Sequence, residues 1–325
     1  MVSYADILAA YARICPFVHR TPVLTCASLD TMTGAYLFLK CENFQKAGAF
    51  KFRGACNAVF SLSEEEACHG VVTHSSGNHA QALALAARMR GIRAIIVMPS
   101  NAPGVKKTAV ADYGGEITFC EPTLEAREQA SQRIISQTGA TLIHPYNDER
   151  IIAGQGTVAL EFLAEVPDLD MVIAPVGGGG LLSGIAIAIK SINPKVRIVA
   201  AEPEMADDAF RSLVAGCILP SIQPQSIADG LLTSLGTLTF PIIQKHVEKI
   251  VTVSESAIIV AMRNIWERAK IIIEPSAAVP IGALLEKKVD FSGLRVGVIL
   301  SGGNVDLERL PWTKAKDGRE ASPNG

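Results

Sequence analysis

Strand and helix signals alternate along most of this chain, and that alternation restricts its fold more than any other feature. GVVTH (70–74), IRAIIVMP (92–99) and GEITFC (115–120) are short, apolar and rich in β-branched residues, the signature of buried strands. Between them NHAQALALAARMRG (78–91) and PGVKKTAVADYG (103–114) read as helices, the second with Pro103 near its start. TLEAREQASQRIISQTG (123–139) is a third helix closed by a glycine, and TLIHP (141–145) a fourth strand. A second series follows: helix 151–166, strand 170–177, helix 180–193, strand 196–203, a helical region from 254 to 270 and a strand over 294–304. Repeated β–α units imply an α/β fold with parallel sheets covered on both faces. A length of 325 residues suits about two domains. The two series place the break near residues 69 and 147, so that 1–69 and 148–325 form one domain and 70–147 the other. The polar tail KAKDGREASPNG (314–325) is expected to fray.

Composition narrows the function. Thirty basic residues against 32 acidic ones leave a formal net charge of −2, which argues against a nucleic-acid partner. No charged segment followed by an apolar one opens the chain, so no secretory signal is expected. The seven cysteines are scattered, odd in number and without a C-x-x-C pair, which indicates neither a disulfide framework nor a thiolate zinc site. A reducing cytoplasm fits this usage. MVIAPVGGGGLLSGIAIAI (171–189) is uncharged and nearly long enough to span a bilayer, but Pro175 and four glycines interrupt it. A buried strand, a glycine turn and a helix account for it better, so no membrane partner is expected.

Three loops fall just past the carboxyl ends of strands, where open α/β sheets bind ligands. In VGGGGLLSG, four glycines between a strand and a helix let backbone amides converge on an anion at the helix N-terminus; the competing reading is a tight packing turn. Neither G-x-G-x-x-G nor G-x-x-x-x-G-K-[ST] is present, so the cup suits a phosphate but carries no standard nucleotide signature. In HSSGNH (74–79), Ser75, Ser76, Asn78 and His79 surround one glycine at a helix start, a loop able to hold a carboxylate or simply to cap the helix. SGGN (301–304) is the third. No G-x-S-x-G elbow supports a serine hydrolase and no H-E-x-x-H a metalloprotease.

Lys51 stands between Phe50 and Phe52 in GAFKFRGACNAVF (48–60). A desolvated lysine loses preference for its charged form, and a neutral amine forms a Schiff base with an aldehyde. A phosphate cup and such an amine together suit pyridoxal 5′-phosphate, an electron sink for carbanion chemistry on amino acids. Alone, Lys51 would read as a snorkelling helix residue.

FQKAGAFKFRGA, SSGNHAQA, AGQGT, VGGGGLLSG, EPEMADD and SGGNVD occur in order across roughly residues 15 to 306 and resemble fold-type II pyridoxal-phosphate enzymes, most of all the serine racemase and serine/threonine dehydratase group. The resemblance implies two open, twisted, mostly parallel sheets: a large cofactor-binding domain (1–69 and 148–325) and a small mobile one (70–147). It implies that Lys51 carries the cofactor, that Phe50 flanks its ring and that Asn78 bonds its phenolic oxygen. Gly177, Gly178, Gly179 and Gly180 would hold the phosphate and Ser301 would meet the pyridine nitrogen. Ser75, Ser76, Asn78 and His79 would line the substrate carboxylate site, with Ser76 the acid–base opposite Lys51. Biosynthetic threonine dehydratases usually carry alanine where this chain has Ser76.

Glu202, the Ala206 carbonyl and Asp208 match the group's divalent-metal site, oxygen ligands that suit Mg²⁺ or Ca²⁺; taken alone they would read as an acidic helix start. Animal racemases of the group bind ATP at a dimer interface. Asn304 and Lys46 match contacts there, but Ala47 replaces a hydroxyl residue, which counts against ATP as an effector. Tyr146 replaces an asparagine of the animal enzymes. The resemblance therefore implies a cytoplasmic homodimer that interconverts L- and D-serine and eliminates water from serine. The alternative is a 3-hydroxyaspartate or threonine dehydratase of the same group. A nucleotide-dependent oxidoreductase lacks its signature here, and a non-catalytic sensor need not keep Lys51.

Overall fold

The computed structural model describes residues 1–313; the tail from 314 onward, with its expected fraying, lies outside the described residues. The strands are β1 (Val23–Leu24), β2 (Tyr36–Cys41), β3 (Val71–His74), β4 (Ala94–Pro99), β5 (Glu116–Cys120), β6 (Thr141–Leu142), β7 (Met171–Pro175), β8 (Arg197–Pro203), β9 (Lys249–Val253) and β10 (Arg295–Leu300). They form two sheets, ordered β1-β2-β10-β7-β8-β9 and β5-β4-β3-β6. Every pairing is parallel except that of β1 with β2. Helices cover both faces, so β4, β7 and most of β10 are wholly buried and read as continuous apolar runs. Two large apolar clusters sit on the two sides of the six-stranded sheet, and a third lies between the smaller sheet and the helices Lys51–Phe60 and Asn78–Arg90.

The apolar run at 171–189 resolves into β7, a glycine loop and the helix Gly180–Ile192. Among the described residues no helix is long and apolar enough to cross a membrane. The expected strand 141–145 stops at Leu142: Pro145 has no amide to donate, and the His144 ring accepts the amides of Tyr146 and Asn147 at 3.3 and 2.9 Å, turning the chain away. The helical region 254–270 breaks after Asn264 into a π-turn, Ile265–Ala269, which ends at left-handed Lys270.

Three helices meet through glycines, and AGQGT is where they meet. A Cβ on Gly154 would lie 2.6 Å from the Gly54 Cα, so the helices Glu149–Glu165 and Lys51–Phe60 touch backbone to backbone. One residue pair further on, a Cβ on Gly184 would lie 2.5 Å from the Gly156 amide nitrogen, bringing the helix Gly180–Ile192 equally close. Beside this crossing a buried charge network fixes the Lys51 helix. Arg53 donates to both carboxylate oxygens of Glu42 and of Glu161 at 2.7–2.8 Å, and Lys40 donates to Glu161 at 2.8 Å. Two cations and two anions balance with their side chains buried, and removing any one would leave an uncompensated buried charge.

Candidate active site

The C-terminal ends of β3, β7 and β10 carry the three loops singled out in the sequence: β3 runs into Ser75–Gly77, β7 into the glycine loop and β10 into Ser301–Asn304. Lys51 begins its helix, held by the last of these loops: the Phe50 amide donates to the Ser301 carbonyl at 3.0 Å, and Ala49 bridges Gly302. The Lys51 Nζ donates to the Pro145 carbonyl at 2.9 Å and lies 5.2 Å from the centre of the Phe50 ring. Burial pushes its pKa down to about 8, against the opposing pull of the Glu274 carboxylate. A neutral amine is therefore accessible near neutrality.

The four glycines are buried. Among the described residues, the amides of Gly177 to Leu182 donate to no protein acceptor, and the first bond closing the helix runs from Ser183 to Gly179. Open donors at a buried helix N-terminus fit a phosphate. Close packing also demands these glycines: a Cβ on Gly177 would meet the Leu231 backbone at 2.9 Å, and one on Gly178 would strike the Tyr146 ring at 2.3 Å. Gly179 in addition has φ +86°. The close contacts bear out the packing-turn reading, and the open amides are compatible with the phosphate-cup reading.

Ser75 accepts the Gly77 amide at 3.4 Å, while the Ser76 hydroxyl makes no hydrogen bond among the described residues; both are half-buried at the cleft. His79 lies deeper, with Nε2 3.3 Å from the Ile143 carbonyl and Nδ1 unpartnered. Burial holds its pKa well below the ordinary histidine value. Ser301 is buried, and its hydroxyl is unbonded among the described residues.

Asn78 donates to Glu274 Oε1 and Oε2 at 2.8 and 3.0 Å and accepts from Asn304 Nδ2 at 2.9 Å. Asn304 Nδ2 also reaches the Ala47 carbonyl at 2.8 Å, so Asn304 is bonded into the cleft wall. Lys46, by contrast, lies with its Nζ 6.0 Å from the centre of the Phe52 ring. Glu274 was not foreseen. It is buried beneath Gly302, where a Cβ would meet its Oε1 at 2.6 Å, and burial pushes its pKa up to about 7. A lone carboxylate in IIIEPSAAVPIGALL is the signal that could have found it.

Glu202 and Asp208 come together away from this cluster, at the end of β8. Glu202 accepts the Ala209 and Phe210 amides at 3.2 and 2.5 Å, capping the next helix, and Ala206, which lies between the two acids in the sequence, is buried. Burial pushes Glu202 to about 8 and Asp208 to about 6. Among the described residues, Asp208 Oδ2 and the Ser221 hydroxyl are buried without hydrogen-bond partners. An orphaned oxygen beside a second buried carboxylate fits a hard cation.

A lysine at a helix start, a loop of open amides and an asparagine held on a buried carboxylate fit a pyridoxal-phosphate cofactor. Residues 14–302 match the family model "Pyridoxal-phosphate dependent enzyme", and the chain belongs to that family. It is 51% identical over 310 residues to a "beta-hydroxyaspartate dehydratase" of Paracoccus denitrificans (strain Pd 1222), covering 95% of this chain and 98% of that protein. It is 50% identical over 315 residues to a "Serine racemase" of Dictyostelium discoideum, covering 95% and 97%. The solved structure of maize serine racemase superposes with a TM-score of 0.92 at 50% identity, covering 94% of this chain and 95% of that one.

Proposed function

We propose that this protein is a pyridoxal-phosphate-dependent serine racemase that also eliminates water from serine. The observations that support this reading are a buried Lys51 amine of lowered proton affinity and the unengaged, half-buried Ser76 hydroxyl in the loop after β3, which we assign to opposite faces of the substrate. The bound cofactor supplies an electron sink for the substrate Cα. The open amides of Gly177 to Gly180 hold its phosphate, Phe50 flanks its ring, Asn78 and Ser301 orient it, and Ser75, Ser76, Asn78 and His79 receive the substrate carboxylate. Lys51 takes the Cα proton on one face and Ser76 returns one on the other. A serine hydroxyl at Ser301, unlike a carboxylate, does not hold the ring nitrogen protonated, which suits racemisation and β-elimination.

Residues 70–147 act as the small domain that closes on substrate and excludes water. The ion pair Lys106–Asp229, which joins that unit to the loop beside Gly230, supports this reading. Glu202, the Ala206 carbonyl and Asp208 hold Mg²⁺ or Ca²⁺. We read the protein as a cytoplasmic homodimer. ATP at Lys46 and Asn304 is a separate reading, opposed by Ala47 and by the internal bonds of Asn304; a nucleotide thermal-shift titration decides it.

A second reading, a 3-hydroxyaspartate dehydratase, has an observation of its own. Among the described residues the Arg127 Nε is buried without a partner, and after burial and Glu128 its charge acts on His74, next to Ser75. An open guanidinium nitrogen there suits a second substrate carboxylate. Incubation with D- and L-serine, threonine and the 3-hydroxyaspartate isomers, with enantiomer and keto acid both assayed, separates the readings. Serine should be racemised, and turnover confined to hydroxyaspartate would establish the second reading instead.

A further inference from the structure

Between β6 and the helix Glu149–Glu165 the chain turns at HPYN (144–147), and this turn is closed by a side chain. Pro145 has no amide, and among the described residues the amides of Tyr146 and Asn147 meet no backbone acceptor. Both donate instead to His144 Nδ1, at 3.3 and 2.9 Å. An accepting Nδ1 leaves the ring proton on Nε2. Burial keeps the ring neutral, taking its pKa down to about 4. The ring also stands edge to face with two neighbours, His74 at 5.5 Å and Tyr146 at 4.6 Å between centres. From this turn three groups reach the cleft. The Pro145 carbonyl accepts from the Lys51 Nζ at 2.9 Å, the one hydrogen bond of that amine among the described residues. The Tyr146 ring covers Gly178. Asn147 accepts the Leu238 amide at 2.8 Å and donates to the Thr237 hydroxyl at 3.2 Å, which ties the turn to the start of the helix Thr239–His246.

We propose that His144 is a positioning residue for the Lys51 amine: by gathering two amides on one ring nitrogen, it fixes the peptide whose carbonyl aims that amine. This rests on reading Lys51 as the lysine that carries the cofactor and moves the Cα proton. The hold acts whenever the amine is free, as it is here. Without it the Pro145 carbonyl has no fixed direction, and neither has the amine. Aiming Lys51 needs an acceptor at the Nδ1 position, whereas packing between His74 and Tyr146 needs only a ring. Two substitutions separate these needs. His144→Asn sets an amide oxygen the same number of bonds from Cα and closes the same turn, as asparagine does in Asx turns. His144→Phe keeps a ring for both neighbours and has no acceptor.

The test compares the full chain of the wild type and both variants, with thermal melts to show that each folds. Two quantities are read. One is the rate at which added pyridoxal 5′-phosphate becomes covalently attached to the stripped chain, with borohydride trapping and peptide mapping to locate it. The other is kcat and KM of the holoenzyme for whichever of serine and 3-hydroxyaspartate the wild type turns over. Misplacement of a catalytic group by about 1 Å can cost about a hundredfold, so His144→Phe should lose at least about tenfold in attachment rate and in kcat, with KM little changed. His144→Asn should recover most of both losses although it lacks the ring. A variant His144→Asn no better than His144→Phe overturns the proposal and leaves His144 a packing residue. Label on another lysine overturns the reading of Lys51 and the proposal with it, whereas label on Lys51 without rescue overturns the proposal alone. If His144→Phe does not fold, nitrogen-15 spectra of the wild-type histidine rings decide, the His144 signals being those absent from His144→Asn. A proton on Nε2 alone near neutral pH supports the proposal, and a proton on Nδ1 overturns it.

Discussion

Ser76 lets two outcomes at one carbon be told apart. Elimination from L-serine needs a base on one face only, the face assigned to Lys51. Racemisation needs a proton delivered from the other. A positioned acid–base contributes about a hundredfold to ten-thousandfold, so Ser76→Ala should cut racemisation by at least about a hundredfold while elimination from L-serine persists. Enantiomer-resolved chromatography beside a pyruvate assay reads both, and equal losses would make Ser76 a carboxylate-binding residue only. Glu274 gives a pH test. Its folded pKa, about 7, lies above the ordinary 4.5, so the folded chain holds this proton more tightly than the unfolded one. Its contribution to stability is full below about 4.5 and is lost as pH rises through 7. Glu274→Gln, which can still accept from Asn78, should flatten that decline in thermal melts between these limits; an unchanged slope would mean that Glu274 is ionised throughout.

At the scale of elements, the site depends on how closely three helices approach. Gly154 touches the Lys51 helix and Gly184 touches the helix Glu149–Glu165 through backbone atoms, which have no rotamer by which to yield. Gly154→Ala should therefore push the Lys51 helix outward. Overpacking of this kind costs about 1–3 kcal/mol, and the displacement of Lys51 should weaken cofactor retention as well. Equilibrium dialysis of the cofactor beside a denaturation curve measures both. A variant that loses stability but keeps its cofactor would show that the helix crossing does not set the position of Lys51.

For the whole molecule, the proposed cation at Glu202 and Asp208 should make stability depend on metal. A ligand present at a hundred times its Kd stabilises the folded state by about 2.7 kcal/mol. Chelator should accordingly lower the melting temperature by several degrees, Mg²⁺ or Ca²⁺ should restore it, and the double variant Glu202→Ala, Asp208→Ala should respond to neither. A double variant that still responds would place the cation elsewhere.

The sequence by itself determined the class of fold, because a run such as IRAIIVMP or MVIAP is apolar throughout only where both faces of a strand are covered. It also singled out the candidate residues of the site, since Lys51, Ser76, Asn78 and the four glycines lie in segments whose local chemistry is visible in a few consecutive letters. Partnership was left to the tertiary structure. Glu274 reads as a stray charge until Asn78, 196 positions earlier, donates to it. Tyr146 reads as a substitution in a loop until its ring is found on Gly178. Likewise, AGQGT shows small residues but not the two helices that press on them. Contacts between residues far apart in the chain exist only after it closes on itself, and burial, which moves the pKa of Lys51 down and that of Glu274 up, is a property of that closed state alone.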